Sequence, residues 1–250
     1  MNSDKAHSFG EWNPVEFLAL ISHELRTPVQ AILGWTEIVE RGPADPEASA
    51  HAIGIIKRNA IRQAEMISQL TSFSRLNIGG LSLRSLPVAL GPTIEAAIET
   101  MTPQSKAKNV DLRMVIDPFE PEVIGDSVWL HHVFTNLLSN AIKFTPTGGR
   151  VELSCKTTEK YAEVTVTDTG AGISEDFLPR VFDRFRRGPN NASTTEGLGL
   201  GLAIARYVVE AHGGSISAHS GGLGLGSTFT VYLPMVAVAS THLIGLTTSA

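Results

Sequence analysis

The stretch Phe17-Leu-Ala-Leu-Ile-Ser-His23-Glu24-Leu25-Arg26-Thr27-Pro28 decides how the N-terminal part of the chain folds. Apolar residues recur at Phe17, Ile21, Leu25, Pro28, Ile32, Trp35 and Val39, at intervals of three or four. That spacing marks one face of an amphipathic helix whose seam is close to the heptad repeat. Asn13-Pro14 reads as a cap with proline in the first turn, and Arg41-Gly42-Pro43 ends the helix. After the turn Ala44-Asp45-Pro46, a second helix is expected from about Glu47. It carries Ile53, Ile56, Ala60, Ile67 and Leu70 on one stripe, broken only by Gln63, and fades at Asn77-Ile78-Gly79-Gly80. Two such helices form an antiparallel hairpin with too little core to stand alone. Closing a four-helix bundle with a second copy is the simplest remedy, so a homodimer through 14–77 is expected.

From Leu86 onward the periodicity changes. Helices are expected over about 91–107, from Ser127 to Phe144 and over 199–212. Strands are expected near Leu112–Ile116, Val151–Lys156, Ala162–Thr167, Ser215–Ala218 and Thr228–Leu233. This half reads as an α/β layer domain. Residues 187–197 are small, polar and flanked by glycine, the composition of a mobile loop, and the residues from about Ala237 read as a tail.

Composition narrows the function. The 250 residues hold 20 Lys+Arg against 25 Asp+Glu, a net charge of −5, so no basic excess exists to neutralise a nucleic-acid backbone. Apolar residues make up 42% and charged ones 18%, a globular balance. The single cysteine, Cys155, cannot form an internal disulfide, and no Cys/His spacing suits zinc, which points to a reducing cytoplasm. No window reaches the roughly 18 apolar residues of a membrane span, and the N-terminus lacks the basic and apolar regions of a signal peptide.

Three constellations carry chemistry. At about 100° per residue, His23 falls almost opposite the helix seam, so its imidazole faces solvent with Glu24 beside it and Thr27 one turn on. A lone exposed His beside a Glu is usually surface decoration. The second is Asn136-Leu-Leu-Ser-Asn140-Ala-Ile-Lys143-Phe144-Thr145-Pro146. Asn136 and Asn140 lie four apart on one helical face, with Lys143 three further on, while the leucines supply the apolar face. The bland reading is a solvated polar stripe; the chemical one is that neutral amides beside a lysine suit Mg²⁺ and phosphate oxygens. The third is a pair of glycine runs. Asp168-Thr-Gly170-Ala-Gly172 follows the strand Val164–Thr167, and Gly197-Leu198-Gly199-Leu-Gly201 opens a helix, where backbone amides hold phosphates. Each alone also reads as a turn or close-packing device, and neither is a Walker loop.

The wording around His23 resembles the phosphoacceptor box of sensor histidine kinases, with Pro28 bending the helix just beyond the acceptor. The Asn136–Pro146 stretch resembles their N box, shared with the gyrase and chaperone ATPases, and the glycine runs resemble their G1 and G2 boxes. Phe182-Asp-Arg-Phe185-Arg186-Arg187 resembles the F box, and Gly226-Ser-Thr228-Phe-Thr the last glycine box. The resemblance covers essentially 15–234, with the motifs in the family's order. It implies a dimeric helical-hairpin domain followed by a Bergerat-type α/β sandwich that binds ATP with Mg²⁺. It also implies autophosphorylation at His23, Glu24 as proton acceptor, Thr27 in regulator dephosphorylation, and transfer to an aspartate on a response regulator receiver domain.

The implied nucleotide ligands are Asn136, Asn140, Lys143, Phe144, Asp168, Gly170, Gly172, Phe182, Arg187, Gly197, Leu198, Gly199, Gly201 and Thr228, with Asn140 on the metal. The expected division is a polar segment 1–13, a phosphotransfer hairpin 14–77, a linker 78–86, an ATP-binding domain 87–236 and a tail 237–250. Only about 14 residues precede the acceptor helix, where the family usually carries a sensor domain. The expectation is a core from a larger protein or a kinase served by a separate sensor. Two other readings compete: a nucleotide-gated dimeric scaffold without kinase activity, and an ATPase or serine kinase on the same fold. The His23-Glu24 pair argues against the first of these, and Asn136, which cannot act as a base where the ATPases carry a glutamate, against the second.

Overall fold

A computed structural model of the chain describes residues 14–42, 45–78, 83–117, 121–186, 188 and 198–236. The segment 1–13, the tail 237–250 and nearly all of the loop 187–197, with Arg187 and Gly197, lie outside the described residues. The chain divides into two compact units, Met1–Ser82 with Ile173–Tyr207, and Leu83–Gly172 with Val208–Ala250.

In the first unit, α1 (Pro14–Glu40) packs along α2 (Pro46–Ile78) as the expected hairpin. The side chain of Phe17 lies outside the described residues; from Ile21 on the α1 seam holds: Pro28 is buried, Ile21, Leu25, Ile32, Trp35 and Val39 are half-buried, and Ser22, His23, Arg26 and Thr27 are exposed. Pro28 lies inside a helix that continues past it. Near the turn, the Trp35 and His51 rings meet edge-on with centroids 5.8 Å apart. In the single chain part of the expected α2 stripe stays exposed. Ala52 and Met66 are buried at 0% and 1% exposure, while Ile53 and Ile67 are 55% and 52% exposed and Ala60 is exposed as well. The helix has two apolar faces, and periodicity alone does not tell which of them meets α1.

The second unit contains a five-stranded sheet in the order β2-β4-β5-β7-β6, from β2 (Asp111–Ile116), β4 (Arg150–Thr157), β5 (Tyr161–Asp168), β6 (Ser215–His219) and β7 (Ser227–Pro234). β2 runs parallel to β4; the other pairs are antiparallel. Burial alternates along β4, β5 and β7, so one face is covered and the other is open, as antiparallel sheets allow. Leu153 pairs with Val166, and Val166 with Phe229, on the covered face. Helices α3 (Leu90–Lys108) and α4 (Ser127–Phe144) pack on each other, α3 against β2 and α4 against β4 and β5. Leu130, Phe134, Leu137, Leu138 and Ile142 of α4 are fully buried.

Two strands escape the sequence pattern. β1 (Leu86–Ala89) and β3 (Glu122–Gly125) form an antiparallel ribbon with Leu86 opposite Gly125. Four residues each, with Pro87 in one, carry too short an alternation to read, and their pairing is non-local. The last helix, α5 (Gly201–Ala211), starts two residues later than expected because Gly199 has φ +67°, outside helical space.

Leu137→Ala removes a fully buried side chain at the junction of helix and sheet. It is expected to lower unfolding stability by about 2–5 kcal/mol, read as a shift in the urea midpoint without a change in slope.

Candidate active site

The imidazole of His23 is 79% exposed, whereas the Glu24 side chain is 12% exposed and sets its Oε1 3.8 Å from His23 Nδ1. The carboxylate lies on the Nδ1 side of the ring, and Nε2 is the edge turned away from it. The Thr27 hydroxyl donates to the His23 carbonyl at 3.1 Å, so this side chain also closes a backbone bond in the turn before Pro28.

Helix α4 carries the second group. Asp126 caps its start, the carboxylate accepting from the amides of Val128 at 3.0 Å and Trp129 at 3.4 Å. The Asp126 N–H donates in turn to Nε2 of His212 at 3.0 Å, and His212 Nδ1–H donates to the Val208 carbonyl at 2.7 Å. His212 is 7% exposed, and a Cβ on Gly125 would lie 2.5 Å from its ring. Both ring nitrogens are satisfied only in the neutral form. Burial pushes the His212 pKa below its usual range, against smaller opposing effects of the Val208 carbonyl and Asp126.

Asn136 and Asn140 sit half-buried on one side of α4, with no hydrogen bond to either carboxamide among the described residues. At the other end of the helix, the Thr145 hydroxyl and N–H hold the Ala141 carbonyl, Lys108 Nζ holds those of Ile142 and Lys143, and the Ala171 N–H holds that of Phe144 at 3.0 Å. Lys143 Nζ lies 5.6 Å from the Phe144 ring centroid.

The bond from Ala171 brings the first glycine run against the end of α4. Asp168 continues the inward alternation Ala162, Val164, Val166, so its carboxylate falls on the covered side at 5% exposure. Oδ1 accepts from the Gly170 amide at 2.7 Å and Oδ2 from the Ser227 hydroxyl. An ionised carboxylate has about four acceptor positions, so capacity remains for a ligand's amino group. At Gly170 a Cβ would meet the Phe144 carbonyl and Asp168 Oδ1 at 2.6 Å each, and at Gly172 (φ +68°) the Gly222 carbonyl at 2.0 Å. These positions admit only glycine. The buried acid, the unpartnered carboxamides and the close-approaching backbone fit an adenine nucleotide with Mg²⁺ held by oxygen ligands.

Phe229 points inward, so Thr228 points to the open face, with its hydroxyl 3.3 Å from that of Thr167. Ser227, which the sequence did not single out, meets Asp168. His212 and Lys108 were also missed, since neither lies in a recognisable motif.

In the other unit, Phe185 adopts φ 59° and its N–H donates to the Gly199 carbonyl at 2.9 Å. A Cβ on Gly199 would meet the Arg186 carbonyl at 2.8 Å. Leu198 is buried, Gly201 opens α5, and the Arg206 guanidinium lies 5.9 Å from the Phe182 ring centroid. The F-box turn and the second glycine run are therefore tied to each other.

Residues 15–79 match the His Kinase A phospho-acceptor domain, and residues 125–237 match the histidine kinase-, DNA gyrase B- and HSP90-like ATPases. A mycobacterial sensor histidine kinase, MprB, is 31% identical in a solved structure, with TM-score 0.55 over 60% of this chain and 98% of that one. The chain belongs to the sensor histidine kinases. Full-length ShkA, solved in complex with AMPPNP, is 27% identical, with TM-score 0.63 over 88% of this chain and 46% of that one. The histidine-protein kinase BarA of Escherichia coli is 36% identical over 224 residues, 87% of this chain and 24% of BarA, so the chain spans about a quarter of that relative's length. Among the described residues of this kinase, no helix is long and apolar enough to cross a membrane.

Because the folded-state pKa of His212 lies below the 6.5 of an ordinary imidazole, the unfolded chain binds the extra proton first. Stability is fully present above that value and is expected to fall as pH drops through and below it. Urea midpoints measured from pH 7.5 to 5.5 should show this slope, and His212→Gln should flatten it.

Proposed function

We propose that the chain is the kinase core of a two-component system, phosphorylating its own His23 from ATP and passing the phosphoryl group to an aspartate in a response regulator's receiver domain. The observation that carries the reading is the exposed imidazole with the Glu24 carboxylate on its Nδ1 side. When bound, ATP with Mg²⁺ supplies the γ-phosphoryl group. His23 attacks through Nε2, the N–P bond forming as the bond from γ-phosphorus to the bridging oxygen of the leaving ADP breaks, while Glu24 takes the Nδ1 proton. Asp168 accepts from the adenine amino group, Asn140 ligates Mg²⁺ with Asn136 nearby, and Lys143 and Arg187 face the phosphates. Phe144, Gly170, Gly172, Phe182, Gly197, Leu198, Gly199 and Gly201 line the nucleotide. Asn136, which cannot activate water, favours transfer over hydrolysis.

The hairpin acts as a homodimer. Leu33, Ile53, Ile61 and Ile67 are 52–58% exposed in the single chain, and Ile53, Ala60 and Ile67 repeat every seven residues, the pattern of a second seam. The signal comes from a separate sensor or from a sensor domain of a longer chain. Thr27 serves the reverse reaction by positioning water against the regulator's aspartyl phosphate.

Incubation with γ-labelled ATP is expected to give an acid-labile, base-stable label, as a phosphoramidate should. His23→Gln should abolish it with ATP binding intact, and Glu24→Gln should slow it by about 10²–10⁴-fold. Persistent labelling in His23→Gln overturns the acceptor assignment. Thr27→Ala should keep labelling but lose dephosphorylation of the regulator; loss of both together with thermal stability leaves Thr27 only its backbone bond. Sedimentation should give a dimer at micromolar concentration, and a folded monomer there would refute the assembly.

A further inference from the structure

An α-helix leaves its last four carbonyls without amide partners from within the helix. In α4 these are Ala141, Ile142, Lys143 and Phe144, and two of the four depend on one side chain. Lys108, the last residue of α3, lies 34 residues earlier in the chain, beyond any local capping signal. Its ammonium lies 2.9 Å from the Ile142 carbonyl and bonds that of Lys143 as well. The remaining two are held by Thr145 from within the turn and by Ala171 from the Asp168–Gly172 run.

The cation sits at the negative end of the helix dipole, where charge and donors act together. Burial lowers the Lys108 pKa, and the two carbonyls are the groups that repay keeping it charged there. Lys143 and Phe144 are the residues whose carbonyls this end of the helix presents, and their side chains leave the helix at the same point. The Phe144 carbonyl also borders Gly170.

We propose that Lys108 is a positioning residue for nucleotide binding: by clamping the Ile142 and Lys143 carbonyls it sets the direction in which Lys143 and Phe144 leave α4 toward the phosphates and the Asp168 loop. This rests on the nucleotide reading of that site. Lys108 itself touches no substrate; it acts through the backbone of the residues that do.

The test is equilibrium binding of a fluorescent ATP analogue with Mg²⁺ to the full chain, at a temperature where thermal melts show every variant folded. Lys108→Met, similar in length but without charge or donors, should weaken binding about tenfold, and Lys108→Arg should restore it to within about threefold. Combined with Lys143→Met, the losses should be less than additive, because both variants remove one unit of the site. A purely structural Lys108 would lower the melting temperature and leave the affinity of the folded protein unchanged, which would overturn the proposal, as would additive losses. Should Lys108→Met not fold, Lys108→Gln, which keeps a donor but no charge, takes its place with the same expectation. Asp168→Asn in the same assay separates the two levels. If it weakens binding while Lys108→Met does not, the site stands and the Lys108 assignment falls; if neither moves the affinity, both fall.

Discussion

The C-terminal end of α4 exposes four carbonyls that no amide of the helix can reach, and separate parts of the sandwich converge on them. Thr145 folds back on Ala141, Lys108 arrives from the end of α3, and the amide of Ala171 arrives from the loop after β5. Because Lys108 and Ala171 belong to other elements, satisfying one helix end also ties the end of α3 and the Asp168–Gly172 run to the end of α4. The other end is tied as firmly. Asp126 caps the first turn with its side chain, and its own amide is held by the buried imidazole of His212. A helix pinned at both ends presents Asn136, Asn140 and Lys143 at fixed positions along one rigid element, where side-chain placement is more precise than on a loop.

The sheet supplies the other half of the arrangement through its alternation. Ala162, Val164 and Val166 face the helices, and the same period carries the next inward position of β5 to Asp168 at the strand end. A carboxylate there would be costly without donors. The Gly170 amide and the Ser227 hydroxyl supply them, the latter from the register partner of Asp168 on β7. Close approach of backbone then excludes side chains. At Gly226, with φ +70°, a Cβ would lie 2.0 Å from the Asp168 carbonyl. The glycines beside the acid are therefore a packing requirement of the turn as well as a surface on which a ligand can approach the backbone.

In the hairpin the same physics leaves something unfinished. Helix α2 packs along α1, and Ala52 and Met66 are buried, while Ile53, Ile61 and Ile67 remain outside. A helix with two apolar faces has more hydrophobic surface than one neighbour can cover, and burial of such surface is the main favourable term in association.

Much of this was legible in the sequence, because the signals involved are local. The α1 seam, the one-sided alternation of β4, β5 and β7 and the apolar face of α4 are periodic runs long enough to read, and His23 opposite its seam followed from helical geometry alone. The rest depended on partners distant in the chain. The ribbon of β1 with β3, the bond from Ser227 to Asp168, the clamp from Lys108 and the imidazole of His212 beneath the α4 cap all arise where segments 30 to 90 residues apart are brought together. Local periodicity reports which residues share a face, whereas only tertiary packing decides what that face meets, because the free energy that selects the pairing comes from surfaces and carbonyls that no neighbouring residue can satisfy.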